Sequence, residues 1–76
     1  MTTLDVKGLK CPMPLLKAKQ ALNRMSGGEE LEVLATDPGS VRDFETFARQ
    51  SGHELLEHRV DADTFYYRLR CRADNA

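Results

Sequence analysis

An α+β fold, a two-layer α/β sandwich with two helices on one face of a mixed four-stranded sheet, is predicted by three features of this 76-residue chain. Two proline-marked helix starts, Cys11-Pro12-Met13-Pro14 and Asp37-Pro38, each precede apolar residues at helical spacing. Four other segments alternate apolar and polar residues, the pattern of half-buried strands. Their order is β-α-β-α-β-β, and crossovers of the usual right-handed sense put both helices on the same side of the sheet.

Each element has its own signal. Leu4 and Val6 alternate with Thr3, Asp5 and Lys7, which gives a short first strand ending at Gly8. The first helix is predicted from Pro12 to about Met25, because Leu15, Ala18, Leu22 and Met25 form one stripe while Lys17, Gln20 and Arg24 face water. Gly27-Gly28 ends it. Leu31, Val33 and Ala35 alternate with Glu30, Glu32 and Leu34 in a strand over roughly 29–36. The second helix is read with Asp37 as N-cap and Pro38 at the first helical position, with Val41, Phe44, Phe47 and Ala48 buried and Ser51-Gly52 closing it. Two strands, about 53–60 and 64–72, follow as a hairpin through Asp61-Ala62-Asp63. In the last strand Phe65, Tyr67, Leu69 and Cys71 share one face, and Tyr66, Arg68, Arg70 and Arg72 share the other. The whole is read as one domain over residues 1–76, with its core over about 3–72 and a frayed tail at 73–76.

Length and charge limit what such a domain can do. A chain this short buries only about 60–65% of its unfolded surface, so net stability is a few kcal/mol and no deep substrate cavity is expected. The formal net charge of −1 steers the chain toward neither nucleic acid nor membrane. Its distribution is uneven. Residues 1–24 carry Lys7, Lys10, Lys17, Lys19 and Arg24 against Asp5, whereas residues 29–63 hold ten of the twelve carboxylates. No apolar stretch approaches membrane-spanning length and the first residues do not read as a signal peptide, so a cytoplasmic protein is expected, with its two cysteines unbridged.

Cys11 is the candidate reactive group. The first amides of a helix lack intrahelical partners and carry a partial positive charge, which favours a thiolate. With Cys11 as N-cap, Pro12 and Pro14 take the first and third helical positions, and Met13 N–H becomes the donor to the sulfur. Lys10 beside it and Lys7 nearby add positive charge, so a lowered thiol pKa is expected. Position 14 is proline, so there is no Cys-x-x-Cys pair and no neighbouring thiol to resolve an oxidised Cys11.

Leu4-Asp5, Gly8-Leu9-Lys10-Cys11-Pro12-Met13-Pro14-Leu15, Gly28-Glu29 and Ala35-Thr36-Asp37-Pro38, taken together and in this order, resemble the TusA/SirA-like sulfur-carrier family over roughly residues 3–72. The resemblance implies a sandwich like the C-terminal domain of translation initiation factor three. It further implies that Cys11 accepts persulfide sulfur from a cysteine desulfurase or related donor and passes it to an acceptor protein, as a sulfurtransferase-type carrier in a relay rather than a stand-alone catalyst. Pro12 and Pro14 match the family's helix-start prolines, and Asp37 matches an acidic position that lies on the thiol's edge of the fold. Met13 stands where members serving tRNA thiolation typically have glutamate, which leaves the pathway open among tRNA thiolation, molybdenum cofactor, selenium chemistry and sulfur oxidation. Sulfur exchange of this kind follows the logic of thiol–disulfide exchange, and a positive helix end would keep the persulfide anionic. No cofactor beyond that transient cysteine persulfide and no metal are expected, and the carrier is expected to be a monomer.

The remaining residues have structural readings beside functional ones. Cys71 shares a face with Phe65, Tyr67 and Leu69 and reads as a buried thiol. His53 and His58 lack a second ligand pair at metal-binding spacing and read as strand residues. Arg68, Arg70 and Arg72 form a solvated row or a docking surface for an acidic partner. Leu9, Met13 and Leu16 are either core or a partner-contact rim around the thiol. Two other functions are carried: a nucleic-acid or ribosome-binding module, which the acidic 29–63 segment disfavours, and a regulatory module that carries no sulfur.

Overall fold

Hydrophobic alternation becomes a sheet whose two faces differ sharply. The computed structural model describes residues 1–74. It contains β1 (Thr2–Asp5), α1 (Met13–Asn23), β2 (Glu30–Ala35), α2 (Ser40–Ser51), β3 (Glu54–Asp61) and β4 (Thr64–Arg70). The order along the chain is the predicted one, and the last two residues of the predicted tail, 75–76, lie outside the described part. The spatial order is β1-β2-β4-β3, with β1 parallel to β2 and β4 antiparallel to both its neighbours. β3 therefore runs parallel to β2 with β4 inserted between them, and each helix connects parallel strands.

Register places the apolar residues together. Leu31 faces Leu69, Val33 faces Tyr67 and Ala35 faces Phe65 across the β2–β4 pair, and Leu4 faces Val33 from β1. The helices add Ala18 and Leu22 from α1 and Phe44 from α2, all fully buried. Pro14 is buried as well, so the second proline of the helix start also belongs to the core. Tyr67 is the centre of this layer: its ring stacks on Phe44 at 4.4 Å and on His58 at 5.2 Å. Its hydroxyl shares a 2.7 Å buried hydrogen bond with Ser40 Oγ, at the first residue of α2. Cys71 lies in the same layer, buried as expected, with its thiol 3.7 Å from the Leu22 carbonyl and 3.8 Å from that of Met25.

The opposite face carries the charges. Arg68 donates to Glu30 at 2.8 Å and to Glu57 at 3.4 Å, and Arg70 donates to Glu54 at 2.6 Å. Arg72, beyond the end of β4, instead contacts Asp74 at 3.3 Å and donates to the Ser51 carbonyl at 2.9 Å, at the C-terminal end of α2. The arginine row is therefore compensated mainly by carboxylates on β2 and β3, which removes the motive for reading it as a free docking surface for an acidic partner. The Arg68 pairs are half-buried and the Arg70 pair is exposed, and pairs this accessible to solvent are worth about 1 kcal/mol or less each, so they set the character of this face more than its stability.

Both helix starts differ from expectation. α1 begins at Met13 with Pro12 at its N-cap position and no side-chain cap, so Cys11 lies one residue outside. The Cys11–Pro12 peptide is cis. Met13 N–H donates to the Lys10 carbonyl at 2.9 Å, closing a tight turn that takes the amide assigned to the sulfur. α2 begins at Ser40, with Gly39 at the N-cap position and again no side-chain cap. Asp37 accepts Ser40 N–H through its backbone carbonyl at 3.0 Å, and its carboxylate is free to point elsewhere. The other end of α2 follows the prediction, closed by Gly52 in the left-handed region at φ 86°.

His53 gives this fold a pH dependence. It is buried, and its Nδ1 accepts the Arg72 N–H at 3.0 Å, a bond available only while Nδ1 is unprotonated. Burial, then the Arg72 charge, holds its pKa below the ordinary 6.5. A folded-state pKa below the unfolded value means that neutral His53 supports the fold above about pH 6.5, and that this support is lost as pH falls through the folded value. The melting temperature should fall on acidification from pH 7 to 5, and His53→Asn, which keeps an acceptor that does not titrate, should flatten the fall. An unchanged slope in that variant would assign the effect to other groups.

Candidate functional site

The thiol sits where the carboxyl ends of the two parallel strands β1 and β2 meet the starts of both helices, the edge at which open α/β sheets gather functional groups. The segment after β1 is stitched to the end of β2. Val6 N–H donates to the Leu34 carbonyl at 2.8 Å, and Gly8 N–H to Thr36 Oγ1 at 2.9 Å. Cys11 N–H then donates to Asp37 Oδ2 at 3.1 Å. These contacts run the loop along the β2–α2 connection and deliver an exposed Cys11 side chain to the first turn of α2.

There the sulfur meets a residue that sequence reasoning missed. Cys11 Sγ–H donates to Asp43 Oδ2 at 2.9 Å. Asp43 lies in the first turn of α2, and that place beside the thiol's edge was the one signal that could have found it. Gly39 leaves room beside the Asp37 carboxylate: a Cβ there would come within 3.1 Å of Asp37 Oδ2, while at 3.8 Å from Cys11 Cβ it would make only ordinary contact. Pro38, Gly39, Val41, Arg42, Asp43 and Glu45 line a shallow depression beside Cys11.

The electrostatics reverse the expectation from the local sequence. The hydrogen bond to Asp43 is the main influence, followed by partial desolvation and the negative charges of Asp43 and Asp37, and together they push the Cys11 thiol above its ordinary pKa. The resting group is a protonated thiol. Lys7 is engaged with Asp5 at 3.8 Å, and neither Lys7 nor Lys10 is among the groups that shift the thiol. The predicted positive setting is replaced by two carboxylates from the β2–α2 region.

Of the other sequence-selected residues, Pro12 and Pro14 shape the helix start, and Asp37 lies beside Cys11 as an anchor of its amide rather than as a helix cap. Met13, Leu9 and Leu16 are exposed at about two-fifths of their surfaces, so this apolar group is not core. Among the described residues, no helix is long and apolar enough to cross a membrane.

Comparison with known proteins places this arrangement among others. The family model described as sulfurtransferase TusA matches residues 2–71. The sulfur carrier protein TusA of Allochromatium vinosum is 51% identical over 67 residues, covering 88% of each chain. That of Pseudomonas putida is 44% identical over 71 residues, covering 93% of this chain and 89% of the relative. The crystal structure of a SirA-like protein from Desulfitobacterium hafniense superposes with a TM-score of 0.81 at 26% identity, covering 95% of this chain and 99% of that one.

Proposed function

Because the chain belongs to the TusA family and is a sulfur carrier, we propose that Cys11 is the residue on which the sulfur rides, as a transient persulfide. The observation that carries the assignment is the contrast between the two thiols. Cys11 is exposed at the helix-start edge, whereas Cys71 is buried against the carbonyls of Leu22 and Met25. Only the first is open to another protein's sulfur. The carrier works in the cytoplasm between a cysteine desulfurase or other persulfide donor and a sulfur-acceptor protein. Leu9, Met13 and Leu16 form the apolar rim those partners touch. Exposed apolar residues around a polar reactive centre suit brief docking by successive partners.

A donor persulfide supplies the test. The protein is incubated with a cysteine desulfurase and cysteine, then digested under conditions that preserve persulfides, and the mass of each cysteine peptide is read. One added sulfur on the Cys11 peptide and none on the Cys71 peptide is the expected result. Sulfur on the Cys71 peptide alone would overturn the assignment.

A further inference from the structure

We propose that Asp43 is the proton acceptor for Cys11 during sulfur uptake, taking the thiol proton as the sulfur attacks and returning it to the donor's departing cysteine. The inference rests on the reading of Cys11 as the sulfur-bearing residue. It stands on the geometry of two carboxylates that divide their work. Asp37 Oδ2 holds the Cys11 amide at 3.1 Å and so fixes the backbone, while Asp43 Oδ2 touches the reacting atom at 2.9 Å. A base must lie within hydrogen-bond reach of the proton it removes, and Asp43 meets that condition before any partner arrives.

A raised thiol pKa leaves little thiolate at neutral pH, and because the thiolate is the attacking form, a base in contact with the sulfur helps to form it as the attack proceeds. The charged groups around the sulfur are Asp37 on the β2–α2 connection, Arg42, Asp43 and Glu45 on α2, and Lys10 next to Cys11 in the chain. Asp43 is the one hydrogen-bonded to it.

The step balances without an outside oxidant or reductant. The Cys11 S–H proton passes to the Asp43 carboxylate, and the Cys11 electron pair forms a bond to the outer sulfur of the donor persulfide. The donor's S–S bond breaks and its electron pair leaves on the donor cysteine sulfur, which takes the proton from Asp43. One thiol and one persulfide become one persulfide and one thiol. Delivery to the acceptor runs the same sequence in reverse, with Asp43 passing the acceptor's thiol proton to Cys11 Sγ as it departs.

Asp43→Asn separates this role from mere suppression of the thiolate. Asparagine removes the carboxylate charge at nearly constant size, so the Cys11 thiol should become more acidic and alkylate faster with iodoacetamide at pH 7. Uptake of sulfur from glutathione persulfide, a donor with no protein surface to dock, should nevertheless fall on the order of tenfold or more. Asp43→Glu, which keeps a carboxylate, should retain more uptake than Asp43→Asn, and circular dichroism verifies that both variants fold. Uptake by folded Asp43→Asn at the wild-type rate or faster, in step with its alkylation, would overturn the inference. Wild-type protein that gains no sulfur on Cys11 would instead overturn the Cys11 assignment itself, and the mass of the Cys11 peptide distinguishes the two failures.

Discussion

Cys11→Ser is expected to lose sulfur uptake completely, while Cys71→Ala keeps it at the wild-type level. Serine preserves the size and the hydrogen bond toward Asp43 but offers no sulfur to carry a sulfane atom, and its hydroxyl does not ionise in the working range. Cys71 is the other thiol of the chain, and it is enclosed by the core that contains Leu69 and Leu22. Removing its sulfur should cost about 1 kcal/mol of stability through a small cavity, with no effect on uptake. Intact-protein mass after incubation with a persulfide donor checks both variants at once. A Cys11→Ser protein that gains sulfur to the same extent as wild type would sink the assignment, because the only remaining thiol would be the buried one.

Tyr67→Ala carries the largest expected effect on stability. The ring is fully buried between Phe44 and His58, and its hydroxyl is bonded to Ser40. Truncation of a large buried aromatic costs about 3–5 kcal/mol, comparable with the whole net stability of a domain this small. The variant should be largely unfolded at 25 °C, as read by urea denaturation followed with circular dichroism. Tyr67→Phe keeps the stack but leaves the Ser40 hydroxyl buried without its partner, at a cost of about 1–3 kcal/mol. A loss below about 1 kcal/mol in the alanine variant would show that the stack does not hold α2 to the sheet. The same contact has a functional consequence: the Ser40–Tyr67 bond pins the first turn of α2, which carries Asp43 to the sulfur.

Much of the architecture was legible because its causes are local and periodic. Alternation in Leu31, Val33 and Ala35, and in Tyr67, Leu69 and Cys71, predicts which side chains are buried, and the observed register unites those two sets on one face. Helix spacing identified Ala18, Leu22, Met25 and Phe44 as core. Strand order was not legible, since antiparallel pairing of β4 with β3 leaves open whether β4 or β3 lies against β2. Ser40 was missed for a similar reason: a serine at a helix start ordinarily faces water, and only its meeting with Tyr67 explains its burial.

The candidate site shows the same division. By itself the sequence singled out the candidate working atom, because Cys11 is set apart by the prolines at 12 and 14 and by the lack of a neighbouring thiol, all short-range facts. It also placed a helix start there, whereas Asp37 was read as a helix cap and its place on the thiol's edge was only implied by the family resemblance. The protonation state of the sulfur was decided only by the tertiary structure. Neighbours in sequence suggested lysines and a lowered pKa, but the groups that act on Cys11 are Asp37 and Asp43, 26 and 32 positions away. Charge acts through distance in space, and the fold brings a carboxylate to 2.9 Å from the sulfur while the adjacent lysine backbone closes a turn.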